Sequence, residues 1–323
     1  MVESTLQIGK TNLDVFAQTL LELAEQDRDI LVVTSDSRGS GRLTKFGETL
    51  PKQLIEIGIA EQNMVGVSAG LASSGKKVFT VSPACFLTAR ALEQIKNDVA
   101  YSDHPVKIIG ISAGVSYGSL GTTHHSLHDF AVLQAIHNID IVVPADNLET
   151  REAILAAVDY PKPLYIRFGK KAMPINLAMD REFKIGKACQ LTSIRDTYDV
   201  ALIANGETVY PALLASQILA EKNITSCVLS LHTIRPFDEE AVRNAALKSK
   251  CLLSVEEHSV NGGLGSRIAS LLMQSGICTP FKIIGIPDEH SVTGSQVEIF
   301  NYYGISPQGL ANQTLTLLEE SRK

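Results

Sequence analysis

The sequence predicts an α/β protein built from two open-sheet domains. Short β-rich runs alternate with longer helical stretches almost from end to end. The length of 323 residues is about twice that of a typical domain. The alternation breaks after Arg167, where a segment containing Pro174 has no clear period. We therefore expect one domain at 1–170, a linker at 171–189 and a second domain at 190–323.

In the first domain, four continuous apolar runs bounded by turn residues suit strands buried on both faces of a parallel sheet. These runs are 30–35, 77–81, 106–111 and 139–143. Helices are predicted between them at 12–26, 60–74, 86–100 and 126–137. Asn12 is the expected N-cap of the first helix, and Gly75 is expected to close the second.

The second domain repeats this alternation, which again favours an open sheet covered by helices. Strands are expected at 199–204, 226–231, 251–255 and 281–286. Helices are expected near 208–222, 237–248, 264–275 and 308–320.

Composition excludes several classes of protein. Hydrophobic residues make up 45% and charged residues 20%, an ordinary globular composition. The net charge of −6 lacks the basic surplus typical of nucleic-acid binding. No apolar run approaches the roughly 18 residues that a membrane span needs, and the first residues do not follow the plan of a signal peptide. Five scattered cysteines predict reduced thiols in a cytoplasmic protein.

The stretch from Leu54 to Gly75 is the most informative part of the chain. A short strand feeds a helix there, with Glu61 at the junction, and ligands of open α/β sheets bind beyond the strands' carboxyl ends. The helix is nearly uncharged and rich in small residues, which predicts close contact with another helix or subunit. An acid there is costly to bury unless it is hydrogen-bonded. The alternative is that Glu61 caps the helix, where the dipole favours an anion.

Several motifs together resemble one family. The run IGIAEQNMVGVSAGLASSGKKVF resembles the pyrimidine-binding domain of transketolases, thiamine-diphosphate enzymes that transfer two-carbon ketol units. The resemblance continues through FLTARALEQIKNDVAYSDHPVKI and GTTHHSLHDFAVLQAIHNIDIVVPADNLET to YIRFG. In the second domain, TIRPFDEEAV and SVEEHSVNGGLGSRIA resemble the family's C-terminal domain.

The family's N-terminal domain carries a GDG motif for the metal and diphosphate, and this sequence contains no GDG. The resemblance therefore implies the C-terminal subunit of a split transketolase. Its expected partner is an N-terminal subunit that holds the diphosphate and Mg²⁺ or Ca²⁺. A heterotetramer of two such heterodimers is the expected assembly, with sugars as substrates and no metal ligands on this chain.

The resemblance assigns cofactor roles to three residues. It implies that Glu61 hydrogen-bonds the aminopyrimidine ring of thiamine diphosphate and that Phe86 stacks on that ring. Asp36 matches an aspartate at the cofactor-facing end of the first strand. Without the resemblance, Phe86 reads as a core residue and Asp36 as a loop cap.

The resemblance also assigns substrate roles. His124 matches a histidine that contacts substrate hydroxyls and assists proton transfers. Arg167 matches the arginine that holds the sugar's terminal phosphate, a group that a guanidinium grips bidentately. Ser40 matches a serine of the same site, and Arg42 lies beside it. The alternative for Arg167 is an ordinary ion pair.

Three positions depart from the family pattern. Ser112 stands where the family has a histidine that contacts the phosphate, and Leu120 where it has an aspartate that binds a substrate hydroxyl. His125 replaces the usual glutamine. Because cofactor positions are kept and substrate positions altered, we expect a specialised acidic ketose, with a sulfonate or a branched skeleton. Drift in an ordinary pentose-phosphate transketolase is the alternative.

Other classes remain as alternatives. His124, His125 and His128 have the spacing of a zinc site, but no cysteine or clearly placed carboxylate completes a tetrahedral set. The β subunit of a 2-oxo-acid dehydrogenase has a similar length and the same glutamate. A 1-deoxyxylulose-phosphate-synthase-like activity is disfavoured, because that enzyme normally carries three domains in one chain. A catalytically silent scaffold would not require an acid on a nearly uncharged helix.

Overall fold

The computed structural model describes residues 6–177 and 182–321. The first half alternates strands and helices as predicted. Its strands are β1 (Ile8–Thr11), β2 (Ile30–Thr34), β3 (Leu54–Glu56), β4 (Lys77–Pro83), β5 (Lys107–Ile111), β6 (Asp140–Val142), β7 (Leu164–Arg167) and β8 (Ala172–Pro174). Its helices are α1 (Asn12–Ala24), α2 (Thr44–Thr49), α3 (Glu61–Ser73), α4 (Ala84–Arg90), α5 (Leu92–Gln94), α6 (Asp129–Gln134) and α7 (Asn147–Val158).

The second half follows the same plan. Its strands are β9 (Cys189–Gln190), β10 (Tyr198–Ala204), β11 (Ser226–Ser230), β12 (Thr233–Arg235), β13 (Ser249–Ser259) and β14 (Phe281–Ile286). Its helices are α8 (Val209–Glu221), α9 (Glu239–Leu247), α10 (Leu264–Gln274), α11 (Gln296–Tyr302) and α12 (Pro307–Glu320). The predicted fold class, α/β with open sheets, is confirmed.

Two main sheets organise the chain. The first has seven strands in the order β12-β6-β7-β5-β4-β2-β3, and the second has five in the order β14-β13-β10-β11-β9. All neighbours in the first sheet are parallel except β12, which runs antiparallel to β6. β12 comes from beyond the predicted linker, so the second half contributes an edge strand to the first sheet.

Buried apolar strands explain the layered cores. Every residue of β2, β5 and β7 is buried. This matches strands covered on both faces by helices. Three of the five cysteines (Cys85, Cys227 and Cys251) are buried. Among the described residues, no helix combines the length and apolar character needed to cross a bilayer.

Two local predictions need correction. Asn12 does not cap α1: the N-cap is Thr11, whose hydroxyl accepts the Asp14 N–H, while Asn12 is buried in the first turn. The helix predicted at 86–100 is broken, because Ala91 leaves helical geometry at φ −101° and ψ 18°. A π-helical segment then covers Ile95–Tyr101. The prediction for Gly75 is correct, since its φ of +88° closes α3.

The predicted linker contains more order than its composition indicated. Ala172–Pro174 forms β8 and pairs antiparallel with β1 near the start of the chain. Residues 178–181, also in this segment, lie outside the described residues. Because β1 also contacts α1 and α7, the pairing holds the beginning of the linker against the helices that cover the first sheet.

Candidate active site

The carboxyl edge of the first sheet brings the predicted residues to one side of the molecule. Asp36 follows β2, Glu61 follows β3, Phe86 follows β4 and Ser112 follows β5. Parallel strands in an open sheet place such positions along a shared crevice. The sheet topology, more than any one motif, therefore collects them.

Glu61 is the first residue of α3 and has only 4% of its surface exposed. Its Oε1 accepts a hydrogen bond from Arg90 Nη1 at 2.9 Å. The same two groups form an ion pair in which the Arg90 side chain is half exposed. The interaction gives the buried carboxyl of Glu61 a hydrogen-bond donor and a positive charge from α4. Glu61 therefore has a specific polar partner and is not simply a helix cap.

An open cleft of about 660 Å³ lies beside this pair. Its lining comes from the start of α3 and from α4: Ile59, Ala60, Glu61, Gln62, Asn63 and Arg90. Ile59 is 74% exposed, an unusual state for a large apolar side chain next to a buried acid. The cleft therefore offers a carboxyl group, a cation and an apolar rim.

Phe86 continues the site from Arg90. The guanidinium carbon of Arg90 lies 4.4 Å from the centroid of the Phe86 ring, a cation–π contact. The other neighbour of Phe86 is His124, whose ring meets it edge-on with centroids 5.3 Å apart. His124 Nδ1 is also 2.9 Å from the Thr123 hydroxyl.

Beyond His124, the contacts reach an exposed lysine. The ring of Tyr117 also meets His124 edge-on at 5.3 Å. Lys170 Nζ lies 4.6 Å from the centroid of the Tyr117 ring. Burial raises the pKa of the Tyr117 phenol, so this ring stays neutral. We call the connected set the contact row; it comprises Glu61, Arg90, Phe86, His124, Tyr117 and Lys170.

Arg167 ends β7 and takes part in a buried ion pair. It is 5% exposed, and its Nε donates to Asp129 Oδ2 at 2.8 Å. Its Nη2 donates to the carbonyl oxygens of Ser126 and Glu257, and its guanidinium lies over the Phe130 ring. A guanidinium with these internal partners stabilises the fold, and the geometry does not favour contact with a sugar phosphate.

Asp36, Ser40 and Arg42 form a separate group after β2. Asp36 has a left-handed φ of +53°, and its N–H donates to Glu56 Oε1 at 2.6 Å. Ser40 donates to the Ser37 carbonyl, and Arg42 pairs with Asp14 at 3.2 Å. Their described contacts are with this loop, α1 and β3, so the structure does not bring them into the contact row.

Ser112 and the remaining histidines lie behind the contact row. Ser112 is buried with a φ of +54°. His125 is buried with its Nε2 on the Gly118 carbonyl, and burial lowers its pKa. His128 Nε2 lies 3.3 Å from the Thr88 hydroxyl. In residues 6–177 and 182–321 no three His, Cys, Asp or Glu side chains are grouped as a metal site.

Three members of the contact row were missed from the sequence. Arg90 follows Phe86 by four residues on one helix, a spacing that puts both side chains on one face. Lys170 stands just beyond β7, where a strand-end position signals a site. For Tyr117, by contrast, nothing in the loop sequence indicated that its ring would join His124 to Lys170.

Comparison with known families decides which class of protein has this site. The transketolase pyrimidine-binding domain matches residues 10–176, and the transketolase C-terminal domain matches residues 190–310. The chain belongs to the transketolase family. The cofactor of that family is thiamine diphosphate, so the prediction of a thiamine-diphosphate-dependent family is confirmed.

Relatives place this transketolase chain more narrowly. It is 49% identical to one of the subunits of the apulose-4-phosphate transketolase of Phocaeicola vulgatus, over 94% of this chain and 96% of that one. It is 36% identical to a 6-deoxy-6-sulfo-D-fructose transketolase subunit of Clostridium sp. (strain MSTE9), over 85% and 84% of the two chains. The prediction of a transketolase subunit that works with a partner chain is confirmed.

A solved structure gives the same result for the fold. The chain is similar to a structure described as a split gene transketolase, inactive beta4 tetramer, with a TM-score of 0.85 and 29% identity. The similarity covers 96% of this chain and 99% of that one. Together with the relatives above, it supports the prediction of a transketolase subunit.

The residues of the contact row fit the pyrimidine end of thiamine diphosphate. The planar guanidinium of Arg90 both covers the Phe86 ring and hydrogen-bonds Glu61. An aminopyrimidine has the same N–C–N edge on a flat ring, so the same acid and the same aromatic face suit it. Because the Arg90 side chain is half exposed, it can give way at little cost.

Proposed function

We propose that this chain supplies the pyrimidine-binding and sugar-binding half of a split transketolase active site. The supporting observation is the contact row, which runs from a buried carboxyl at a cleft to an exposed ammonium group. The acid and ring at one end suit the heterocycle, and the histidine and lysine suit a hydroxylated, acidic sugar. The partner would be an N-terminal subunit that contributes the diphosphate and metal site.

Glu61 and Phe86 would hold the cofactor. When bound, thiamine diphosphate supplies a carbon nucleophile that accepts the two-carbon ketol unit. Glu61 would hold a proton between its carboxyl oxygen and a ring nitrogen of the pyrimidine, at the oxygen that now binds Arg90. Phe86 would fix the ring plane by offset stacking, worth about 0.5–1.5 kcal/mol beyond burial. Asp36 is proposed to border the same cofactor from the end of β2.

His124 and Lys170 would bind the sugar. His124, held between Phe86 and Tyr117, can exchange a proton with a substrate hydroxyl. Lys170 is exposed beside Tyr117 and offers a cation for the acidic head group. We assign the head group to Lys170 and not to Arg167, because the guanidinium of Arg167 is already bonded inside the protein. Ser40, Arg42 and Ser112 keep a proposed supporting role in substrate binding.

We propose a specialised acidic ketose as donor. The relatives described above are named for apulose 4-phosphate and for 6-deoxy-6-sulfo-D-fructose, neither of which is a pentose 5-phosphate. Leu120, at a position where the family binds a sugar hydroxyl, is 54% exposed and can make only apolar contact. A branched, phosphorylated ketose is the first donor to test, followed by a sulfonated one.

We propose an assembly of two heterodimers in the cytoplasm, with Mg²⁺ or Ca²⁺ held by the partner. Ile59, which lines the cleft beside Glu61, has 74% of its surface exposed. A large exposed apolar residue beside a cleft favours a covering subunit. The chain alone is therefore expected to be inactive.

A donor screen with the assembled pair tests this function. The chain is co-expressed with the adjacent N-terminal subunit, and ketol transfer to an aldose is measured with branched phosphorylated, sulfonated and ordinary ketoses. We expect turnover only with both chains and fastest with a specialised donor. Fastest turnover on xylulose 5-phosphate would refute the specialisation, and transfer by this chain alone would refute the shared site.

A further inference from the structure

First-half segments fill the ligand crevice of the second sheet. β10 and β13 are neighbours, but the chain leaves β10 towards β11 on one side and β13 towards β14 on the other. Open α/β sheets bind ligands beyond the carboxyl ends of such a strand pair. Here Glu207 follows β10 and Glu257 lies near the end of β13. Both carboxyls face segments of the first half.

The two carboxyls form a buried pair. Gln296 Nε2 donates to Glu207 Oε2 at 2.5 Å and to Glu257 Oε1 at 2.8 Å. Their side chains are 8% and 2% exposed. Burial raises the pKa of both groups, and the charge of Glu207 adds to the effect at Glu257. Both shifts favour the protonated form of the carboxyls.

Each carboxyl contacts a segment that carries part of the contact row. Val115 N–H donates to Glu257 Oε1 at 2.9 Å, two residues before Tyr117. Lys171 N–H lies 3.4 Å from Glu207 Oε1, one residue after Lys170. Tyr117 and Lys170, which contact each other, therefore lie within two residues of backbone N–H groups that face Glu257 and Glu207.

Glycines allow this close approach. A Cβ on Gly114 would lie 2.2 Å from the carboxyl carbon of Glu257. A Cβ on Gly169 would lie 2.0 Å from Glu207 Oε1. Because real Cβ atoms do not come so near, each segment can approach its carboxyl only with a glycine at the point of closest contact.

We propose that Glu207 and Glu257 are positioning residues, which hold segments 112–121 and 168–171 so that Tyr117 and Lys170 form the sugar side of the active site. The inference rests on the sugar-binding role proposed above for Lys170 and His124. Neither carboxyl touches the substrate. They act through their hydrogen bonds with the backbone of Val115 and Lys171. In this way the second half of the chain would influence sugar binding at a site built by the first half.

Amide hydrogen exchange of the full chain tests the positioning without any turnover. We compare wild type, Glu257→Ala, Glu257→Gln and the exposed control Glu240→Ala. Segment 113–121 should exchange at least about tenfold faster in Glu257→Ala. In Glu257→Gln it should stay near wild type, because an amide oxygen still accepts the Val115 N–H. Unchanged exchange in Glu257→Ala would overturn the proposal.

If Glu257→Ala does not fold, Gly169→Ala answers the same question from the other segment. Its added methyl group must move segment 168–171 away from Glu207, so exchange should rise there while α12 stays protected. Protection of 168–171 equal to wild type in this variant would also overturn the proposal.

Kinetics of the assembled enzyme separate positioning from general stability. Glu257→Ala should raise KM for the acidic ketose about tenfold while thiamine-diphosphate affinity stays within about twofold. In wild type, KM should rise as pH increases and Glu257 loses its proton beside Glu207. The charged groups that act on the pair are Arg167 and Lys171, and Gln296 donates to both carboxyls.

Glu257→Gln should remove that alkaline rise in KM, because only one carboxyl remains and no second charge can form. A rise in KM equal to wild type would contradict the proposal. If the wild-type pair turned over no ketose, the proposed function would fail, whereas hydrogen exchange would still decide the positioning role.

Discussion

Arg90 donates a hydrogen bond from Nη1 to Glu61 Oε1 across 2.9 Å, from a half-exposed side chain to a nearly buried one. The pairing keeps the buried acid matched with a cation that solvent can reach. Displacing a half-exposed cation of this kind costs less free energy than displacing a buried one, because its guanidinium can be rehydrated. The site is thus held ready for a planar cationic or amidine-like group at one carboxyl oxygen.

Glu61→Gln tests the cofactor end of the site. The amide cannot hold the proton of a carboxyl, so kcat of the assembled enzyme should fall about 10²–10⁴-fold. Activity is measured with saturating thiamine diphosphate, and cofactor binding is followed separately. Glu93→Gln, an exposed acid on α5, is the matched control and should behave as wild type. Near-normal turnover in Glu61→Gln would remove Glu61 from the mechanism.

Lys170→Ala tests the head-group assignment. Loss of a charge-assisted hydrogen bond of about 1.5–3 kcal/mol should raise KM for the acidic ketose roughly ten- to a hundredfold. The melting temperature should not change, since Lys170 is exposed. Lys162→Ala, which removes another exposed lysine of the same half, should leave KM unaltered. An unchanged KM in Lys170→Ala would show that other residues bind the acidic head group.

Arg167→Met tests the structural assignment of the buried arginine. The substitution leaves Asp129 buried without its cation, which should cost about 3–5 kcal/mol of unfolding free energy. Chemical denaturation of the full chain measures this. A stable variant whose only defect is a raised KM for phosphorylated sugars would show that Arg167 binds substrate after all.

Stability should fall as pH rises from about 6.5 to 8. Burial raises the pKa of Glu256 to about 7, and it also raises the pKa of Glu257. The folded state therefore binds more protons than the unfolded state, and stability is lost as pH passes through the folded values. Below about 6.5, His258 opposes this trend, because burial lowers its pKa to about 4. Thermal unfolding across pH 5–8.5 measures the slope, and Glu257→Gln should flatten it. A melting temperature that rises over this window would contradict the assignment.

The sequence predicted the strands and most helices because their apolar runs are continuous and their breaks contain glycine or proline. It also predicted that Glu61 and Phe86 come soon after strands, and they follow β3 and β4. It did not predict that Arg167 would be buried, because alternation marks a strand end but not which way a side chain points. Burial of that arginine depends on Asp129 and on the Glu257 carbonyl, ninety residues further along the chain.

The edge strand β12 limits how this protein can be divided. Thr233 pairs with Val142, and Val143 N–H donates to the His232 carbonyl at 2.8 Å. Arg235 also donates to the carbonyls of Gln134 and Ile136. If the chain were cut in the linker, β6 would lose its neighbour β12 and become the edge strand of the sheet. All residues of β6 are buried in the full chain, so this exposed edge would favour aggregation. Any engineering that exchanges the second half between relatives must therefore carry β12 and its edge partner together.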